Sequence, residues 1–328
     1  MEFGEVRVRD ALGAILAHSH RVKDGRIRKG HVLGADELAR LEAAGIHAVV
    51  VARPGPQDLT EDAAAARIAA ALVPDPAAAG LRLTEAATGR VNVYATGPGV
   101  VRMDAAALHR LNLIDPMVTV ATLPPFARVE AGTMVATVKI ISYAVPELSV
   151  EKGARVARNA LSVAPVVLRD ATLIVTDMGS GPGKGEAAVA TRLDRLGMRL
   201  ADVRVVAHDA ASIAAALRAV KSDLALVLTA SATSDIGDVG PEGLVAAGGQ
   251  VVRFGMPVDP GNLLFYGSIG ARPVIGLPGC ARSPALNGAD WVLERICCGL
   301  EPSGDEIAAM GVGGLLKESP SRPHPRAG

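Results

Sequence analysis

The sequence predicts an α/β protein: a doubly wound, mostly parallel sheet over residues 166–300, preceded by a smaller α+β N-terminal region. Three observations lead there. From Thr172 to Gly299, short Val/Leu/Ile runs alternate with helical stretches, the pattern of β-α-β units. Apolar residues make up 49 % of the chain but aromatics only 2 %, so the cores are built from Val, Leu, Ile and Ala, as suits strands covered on both faces. A length of 328 residues suggests two or three domains. The expected divisions are 1–80, 81–165, 166–300 and a disordered tail over 301–328.

Along the chain, Gly34-Ala35-Asp36-Glu37-Leu38 opens a helix with Leu38, Leu41 and Ala44 as its apolar stripe, and Gly45 ends it. Ala48–Ala52 reads as a buried strand, and Ala63–Val73 as a helix stopped by Pro74-Asp75-Pro76. From 81 to 145 the texture is α+β: strands at Val91–Tyr94, Val100–Met103, Val118–Ala121 and Met134–Ile141, with a short helix over Asp104–Asn112. The polar stretch Glu147–Arg158 reads as a connection between domains.

The third region begins with strand Thr172–Thr176, a glycine-rich loop and a helix over 186–196. Strand Val203–Ala207 runs into His208-Asp209 and a helix through Val220. Strand Leu224–Thr229 leads through a polar loop to a helix from Pro241 to Ala247, and strand Val251–Phe254 follows. After paired β pieces near Leu263 and Val274, a final helix is expected from Ser283-Pro284 to Cys298.

Composition excludes several classes. Lys plus Arg balance Asp plus Glu at 34 each, so no global field recruits nucleic acid or anionic lipid, while a local anion site stays open. No apolar run spans a membrane, and the acidic start Met1-Glu2-Phe3-Gly4-Glu5 is unlike a signal peptide. Cys280, Cys297 and Cys298 give neither a disulfide framework nor a metal spacing, so reduced thiols and a cytoplasmic location are expected.

Ligands of open α/β sheets bind beyond the carboxyl ends of the strands. The loops there are Thr176-Asp177, His208-Asp209, Thr229–Asp238, Met256–Asn262 and Leu277–Ser283. The loop Gly179–Gly185 invites a nucleotide reading that its spacing refuses. A P-loop needs Gly at Met178 and Ser or Thr at Gly185. A dinucleotide fingerprint from Gly179 and Gly181 needs Gly at Lys184, and later frames lie too far past the strand or meet Glu186.

Other loops carry more. Ser283 is placed to cap the last helix, Gly279 to admit a phosphate closely and Arg282 to add a charge-assisted bond. An ordinary capped helix with a surface Arg282 explains the same residues. Asp209 and Asp238 are placed to hold Mg²⁺ at a phosphate. Asp209 also suits a helix N-cap, and Asp235 and Asp238 suit turns.

At these residues the chain resembles the molybdopterin-binding domain shared by molybdenum insertases and molybdopterin adenylyltransferases. Thr176-Asp177 matches the family's Ser/Thr-Asp step, Asp209 its acid after the second strand, Thr229 and Asp238 the ends of its Thr-Gly-Gly loop, and Leu277-Pro278-Gly279 its late Leu-Pro-Gly motif. Phe254–Asn262, containing Pro257, Asp259, Gly261 and Asn262, is similar to a subgroup of bacterial molybdopterin-binding proteins, some fused to a nucleotidyltransferase. Asp10–Ala17 and Lys29–Leu33 resemble accessory regions of insertase-like proteins.

The resemblance implies a site for molybdopterin or molybdenum cofactor. Its phosphate would lie on the Gly279–Ser283 helix end, with Asp209 and Asp238 near phosphate or Mg²⁺ and Thr229, Ser231 and Thr233 as hydroxyl donors. It implies adenylyl transfer with ATP and Mg²⁺, or molybdate insertion, if the protein is catalytic. A carrier or sensor of finished cofactor and, more remotely, a nucleotide pyrophosphatase are the alternatives. Partners would be the small-molecule pterin, a molybdoenzyme or cofactor-biosynthesis protein, and a second copy in a homo-oligomer. Two departures bear on the chemistry. Ala230 and Ser231 replace the paired glycines, which favours the carrier, because Cβ atoms restrict positive φ. Cys280-Ala281 replaces Asn-Pro, and Cys280 is either a soft ligand near molybdenum or a buried thiol.

Overall fold

The computed structural model describes residues 1–179, 181 and 185–316. Ser180, Pro182, Gly183 and Lys184 of the glycine-rich loop lie outside the described residues, as do residues 317–328 of the expected tail. The chain divides into two compact units. One comprises Met1–Thr96, Val101–Ala127 and Ala131–Val163; the other comprises Gly97–Val100, Arg128–Glu130 and Ala164–Gly328. Among the described residues no helix is long and apolar enough to cross a membrane.

In the first unit, strands Glu2–Arg7, Ala48–Arg53 and Ile15–Leu16 pair antiparallel. With the helix Ala35–Ala43 they enclose a core that includes Val8, Leu16, Leu41, Val49 and Val51. Ala48–Arg53 is half-buried rather than buried throughout: Val49 and Val51 face inward while Ala48 is exposed. A second antiparallel sheet orders Val118–Thr122, Met134–Ile140, Arg90–Ala95 and Leu81–Leu83. The helix Glu61–Leu72 packs on it. The stretch expected to connect domains is instead a helix, Glu147–Val156, packed inside this unit. Its polar residues are one solvated face. Val150 is fully buried, and Gly153 lies so close to Ile68 that a Cβ there would sit 3.1 Å from the Ile68 methyl.

The second unit is a mixed six-stranded sheet with helices on both faces. Its strands are β1 (Asp170–Asp177), β2 (Arg199–Ala207), β3 (Leu224–Leu228), β4 (Gln250–Phe254), β5 (Phe265–Ile269) and β6 (Arg272–Leu277). Their order is β2-β1-β3-β6-β5-β4. The pairs β1–β2, β1–β3 and β3–β6 are parallel, whereas β5–β6 and β4–β5 are antiparallel. The sheet is mixed through β5, which alone runs against the other five strands: β5 and β6 form a tight hairpin, with Ile269 opposite Arg272, and only two residues between them leave no room for a crossover.

Alternation along the buried strands assigns the faces. Leu173, Val175, Leu226, Leu228, Ile275 and Leu277 meet helices α1 (Gly185–Asp194) and α4 (Gly288–Cys297). Ile174, Ala225, Val227 and Val274 meet α2 (Ala210–Arg218) and α3 (Val239–Ala246). Gly276 lies beneath the Phe265 ring, where a Cβ would come within 1.9 Å of the ring, so only glycine fits.

Two boundaries differ from expectation. The final long helix starts at Gly288 rather than Pro284, because Asn287 and Asp290 form a capping box there and Gly279–Arg282 makes a separate 3-10 turn. The expected tail holds a helix, α5 (Gly304–Ala309), capped by Ser303 and Glu306. Beyond it, Gly314 and Leu316 hydrogen-bond to Asp259, and Ile307 and Met310 are buried in the sheet's core.

Candidate functional site

The parallel register carries β1, β2, β3 and β6 to one edge of the sheet, with Val175 opposite both Val205 and Leu228, and Leu228 opposite Leu277. The chain leaves β1 toward β2 on one side and returns to β3 on the other, which makes the β1–β3 ends a topological switch point. Polar side chains gather there. Thr176, 1 % exposed, accepts a hydrogen bond at Oγ1 from the Ala230 N–H at 2.7 Å. The same hydroxyl lies 2.8 Å from His208 Nδ1, and His208 Nε2 lies 2.9 Å from Ser231 Oγ.

The Thr229–Ser231 turn is braced from within. Thr229 Oγ1 donates to the Ser231 carbonyl at 2.7 Å and lies 3.1 Å from Thr233 Oγ1. Arg282 donates from Nη2 to the Thr229 carbonyl at 3.2 Å, which brings a guanidinium to the same turn. Its side chain runs past Gly185, where a Cβ would also strike Leu228 at 2.4 Å. Thr176, Thr229, Ser231, Thr233 and Arg282 are thus drawn into one cluster.

The remaining expected residues are placed differently. Asp177 and Asp235 close local turns, accepting from Gly179 N–H at 3.0 Å and Gly237 N–H at 2.8 Å. Asp209 caps α2, accepting from the Ser212 N–H and hydroxyl, both at 2.8 Å. The Ser212 backbone N–H first, and then its hydroxyl, hold the Asp209 carboxyl below the usual carboxylate range. Asp238 caps α3, accepting from Val239 N–H at 2.7 Å and Ser234 N–H at 3.2 Å. No group of three or more His, Cys, Asp or Glu side chains that suits a metal ion occurs among the described residues.

The segment with Pro257, Asp259, Gly261 and Asn262 is engaged by other parts of the unit. Asp259 pairs with Gly314 and Leu316 through its backbone, Pro257 packs on Gly311, and the Asn262 carbonyl closes a turn onto Met256. Gly261 lies against the backbone of Gly288, where a Cβ would come within 2.6 Å of the Gly288 nitrogen. This segment supports the start of α4 and the 310–316 segment.

Ser283 does not cap the last helix. It follows the 3-10 turn, and its hydroxyl accepts from Ala285 N–H at 3.3 Å. The first free N–H groups of α4 are engaged by Asn287 and Pro260, so the expected phosphate seat at that helix end is corrected. Pro278 is buried, Gly279 is exposed, and Cys280 is half-buried within the turn.

Two further residues hold the site together. The sequence places His208 in the loop directly after β2, but its partners Thr176 and Ser231 are set by the strand order. Arg192, on α1 and 6 % exposed, uses all of its N–H groups. They go to Asp290, to the Ala188 carbonyl at 3.1 Å, to Ala281 at 3.0 Å, to Ser283 at 2.8 Å and to Ala285 at 3.0 Å. It fixes the turn that carries Arg282. A charged residue on the core side of a helix was the only hint.

A family model described as a domain of unknown function (DUF8806) matches residues 5–53. No curated protein matches the chain. Among solved structures, the chain is similar to the molybdopterin biosynthesis moea protein from Pyrococcus horikosii at 13 % identity. That match covers 91 % of this chain and 75 % of the other, with a TM-score of 0.32. The Mog molybdopterin biosynthesis protein from Mycobacterium ulcerans matches at 19 % identity, over 43 % of this chain and 99 % of the other, with a TM-score of 0.30. CinA, a protein with unknown function from Thermoplasma acidophilum, matches at 17 %, over 35 % and 90 % of the two chains, also at 0.30. At these scores the likenesses carry no argument about chemistry.

Proposed function

We propose that the second unit binds a phosphorylated pterin of the molybdopterin class in the crevice beyond β1, β2 and β3, and works in making or handing over molybdenum cofactor. One observation carries the reading: Thr176, His208, Ser231 and Arg282 converge at the topological switch point. The exposed Ser231 hydroxyl beside a guanidinium suits an anionic oxygen, and the position is where open sheets with parallel strands hold ligands. The Leu277-Pro278-Gly279 and Thr176-Asp177 motifs add the pterin.

Within this reading a carrier or sensor is favoured over an enzyme. Asp209 and Asp238, the acids that adenylyl transfer or molybdate insertion would use with Mg²⁺ and ATP, both serve as helix caps. Incubation of the purified protein with molybdopterin, ATP and Mg²⁺ separates the two. Stoichiometric retention of pterin without turnover supports a carrier, and adenylylated product supports an enzyme. Absence of binding in a molybdopterin titration overturns the proposal.

A further inference from the structure

We infer that His208 is a positioning residue: it directs the Ser231 hydroxyl outward as a donor to a phosphate oxygen. The inference rests on the phosphate-binding reading of the crevice and adds the group that orients the donor. The bonds themselves decide the direction. A backbone N–H only donates, so Thr176 Oγ1 is the acceptor of its 2.7 Å contact with Ala230. Thr176 is 1 % exposed, and its own hydroxyl proton must go to a neighbour rather than to water. His208 Nδ1, 2.8 Å away, is the acceptor in place.

A neutral imidazole that accepts at Nδ1 carries its proton on Nε2. Nε2 therefore donates to Ser231 Oγ at 2.9 Å, which leaves the Ser231 proton to point away from the ring. Ser231 is exposed, so that proton meets a ligand or solvent. The relay runs from Ala230 N–H through Thr176 and His208 to Ser231, and no covalent step is involved. The Ser231 backbone is held independently, since Thr229 donates to its carbonyl at 2.7 Å. The Arg282 guanidinium, bonded to the Thr229 carbonyl, supplies positive charge beside the same turn and selects an oxyanion over a neutral carbonyl.

Glutamine and asparagine dissect the ring, because Gln places an amide near the Nε2 position and Asn near the Nδ1 position. The test is calorimetric titration of the full chain with inorganic phosphate, with thermal melts to confirm that each variant is folded, and ¹⁵N NMR of the His208 ring. Expected are an Nε2–H tautomer, about tenfold weaker phosphate binding in Ser231→Ala, a similar loss in His208→Asn, and binding within a few-fold of wild type in His208→Gln. An Nδ1–H tautomer, or His208→Asn binding as well as His208→Gln, overturns the relay while phosphate binding itself stands. Failure of the wild-type protein to bind phosphate overturns the crevice reading, and the role of Ser231 with it.

Discussion

Arg192 and Asp290 form a buried ion pair, 6 % and 7 % exposed, in which the Arg192 Nε–H donates to Asp290 Oδ1 while Asp290 Oδ2 accepts the N–H of Asn287. One carboxylate thus caps α4 and anchors the arginine that holds residues 281–285. Removing one partner of such a pair leaves a buried charge unmatched, at a cost of about 3–5 kcal/mol. Arg192→Ala is expected to lose that much unfolding free energy in urea, and Arg192→Lys most of it, since an ammonium cannot reach four carbonyls and a carboxylate together. A lysine variant as stable as wild type would show that the fork of donors is dispensable.

Glu294 makes stability depend on pH. Burial, and next the neighbouring Asp290 charge, push its carboxyl from 4.5 up to about 7, even with Arg128 Nε 3.5 Å away. A folded pKa above the unfolded one means the folded state binds the extra proton. Its stabilising contribution is present below pH 4.5 and is lost as pH rises through 7. The shift corresponds to an upper bound of about 3 kcal/mol. Glu294→Gln is expected to flatten this part of the profile and to be the more stable protein at pH 8. Parallel profiles for the two proteins would sink the assignment.

The three thiols should differ in reactivity. Burial raises Cys297 far above the ordinary thiol range and Cys298 up to about 11, whereas Cys280 is half-buried. The thiolate is the reacting species. Iodoacetamide at pH 8 is expected to label Cys280 alone in the native protein and all three after unfolding, as read by peptide mass spectrometry. Native labelling of Cys297 would contradict the packing of α4.

Asp209 offers a way to separate capping from ligand binding. Asparagine also caps helices well, whereas alanine does not. Asp209→Asn is therefore expected to keep the wild-type melting temperature and Asp209→Ala to lower it. If Asp209→Asn also retains phosphate binding, the carboxylate charge has no part in the site; a selective loss of binding gives it one.

Much of the second unit was legible because burial leaves a local imprint. Leu173, Ile174 and Val175 form an unbroken apolar run only because helices cover both faces of β1, and Asp209 announces α2 because its cap lies three residues from its partner Ser212. The start of α4 is misplaced by the sequence because Ser283-Pro284 imitates a helix start, while the true cap pairs Asn287 with Asp290, whose carboxylate is also held by Arg192, 98 residues away in the chain. The Glu147–Val156 helix was missed because its apolar face is narrow, essentially Val150 and the flat surface at Gly153.

By itself, the sequence determined the alternation of strands and helices in the second unit, since periodic burial and turn residues act over a few neighbours. Only the tertiary structure decided which polar groups meet. Thr176 and His208 are 32 residues apart, and His208 and Ser231 are 23 apart. They become neighbours through the strand order β2-β1-β3, which no local pattern records. A side-chain hydrogen bond spans about 3 Å and depends on direction, so its partner is chosen by register and strand order rather than by residue type.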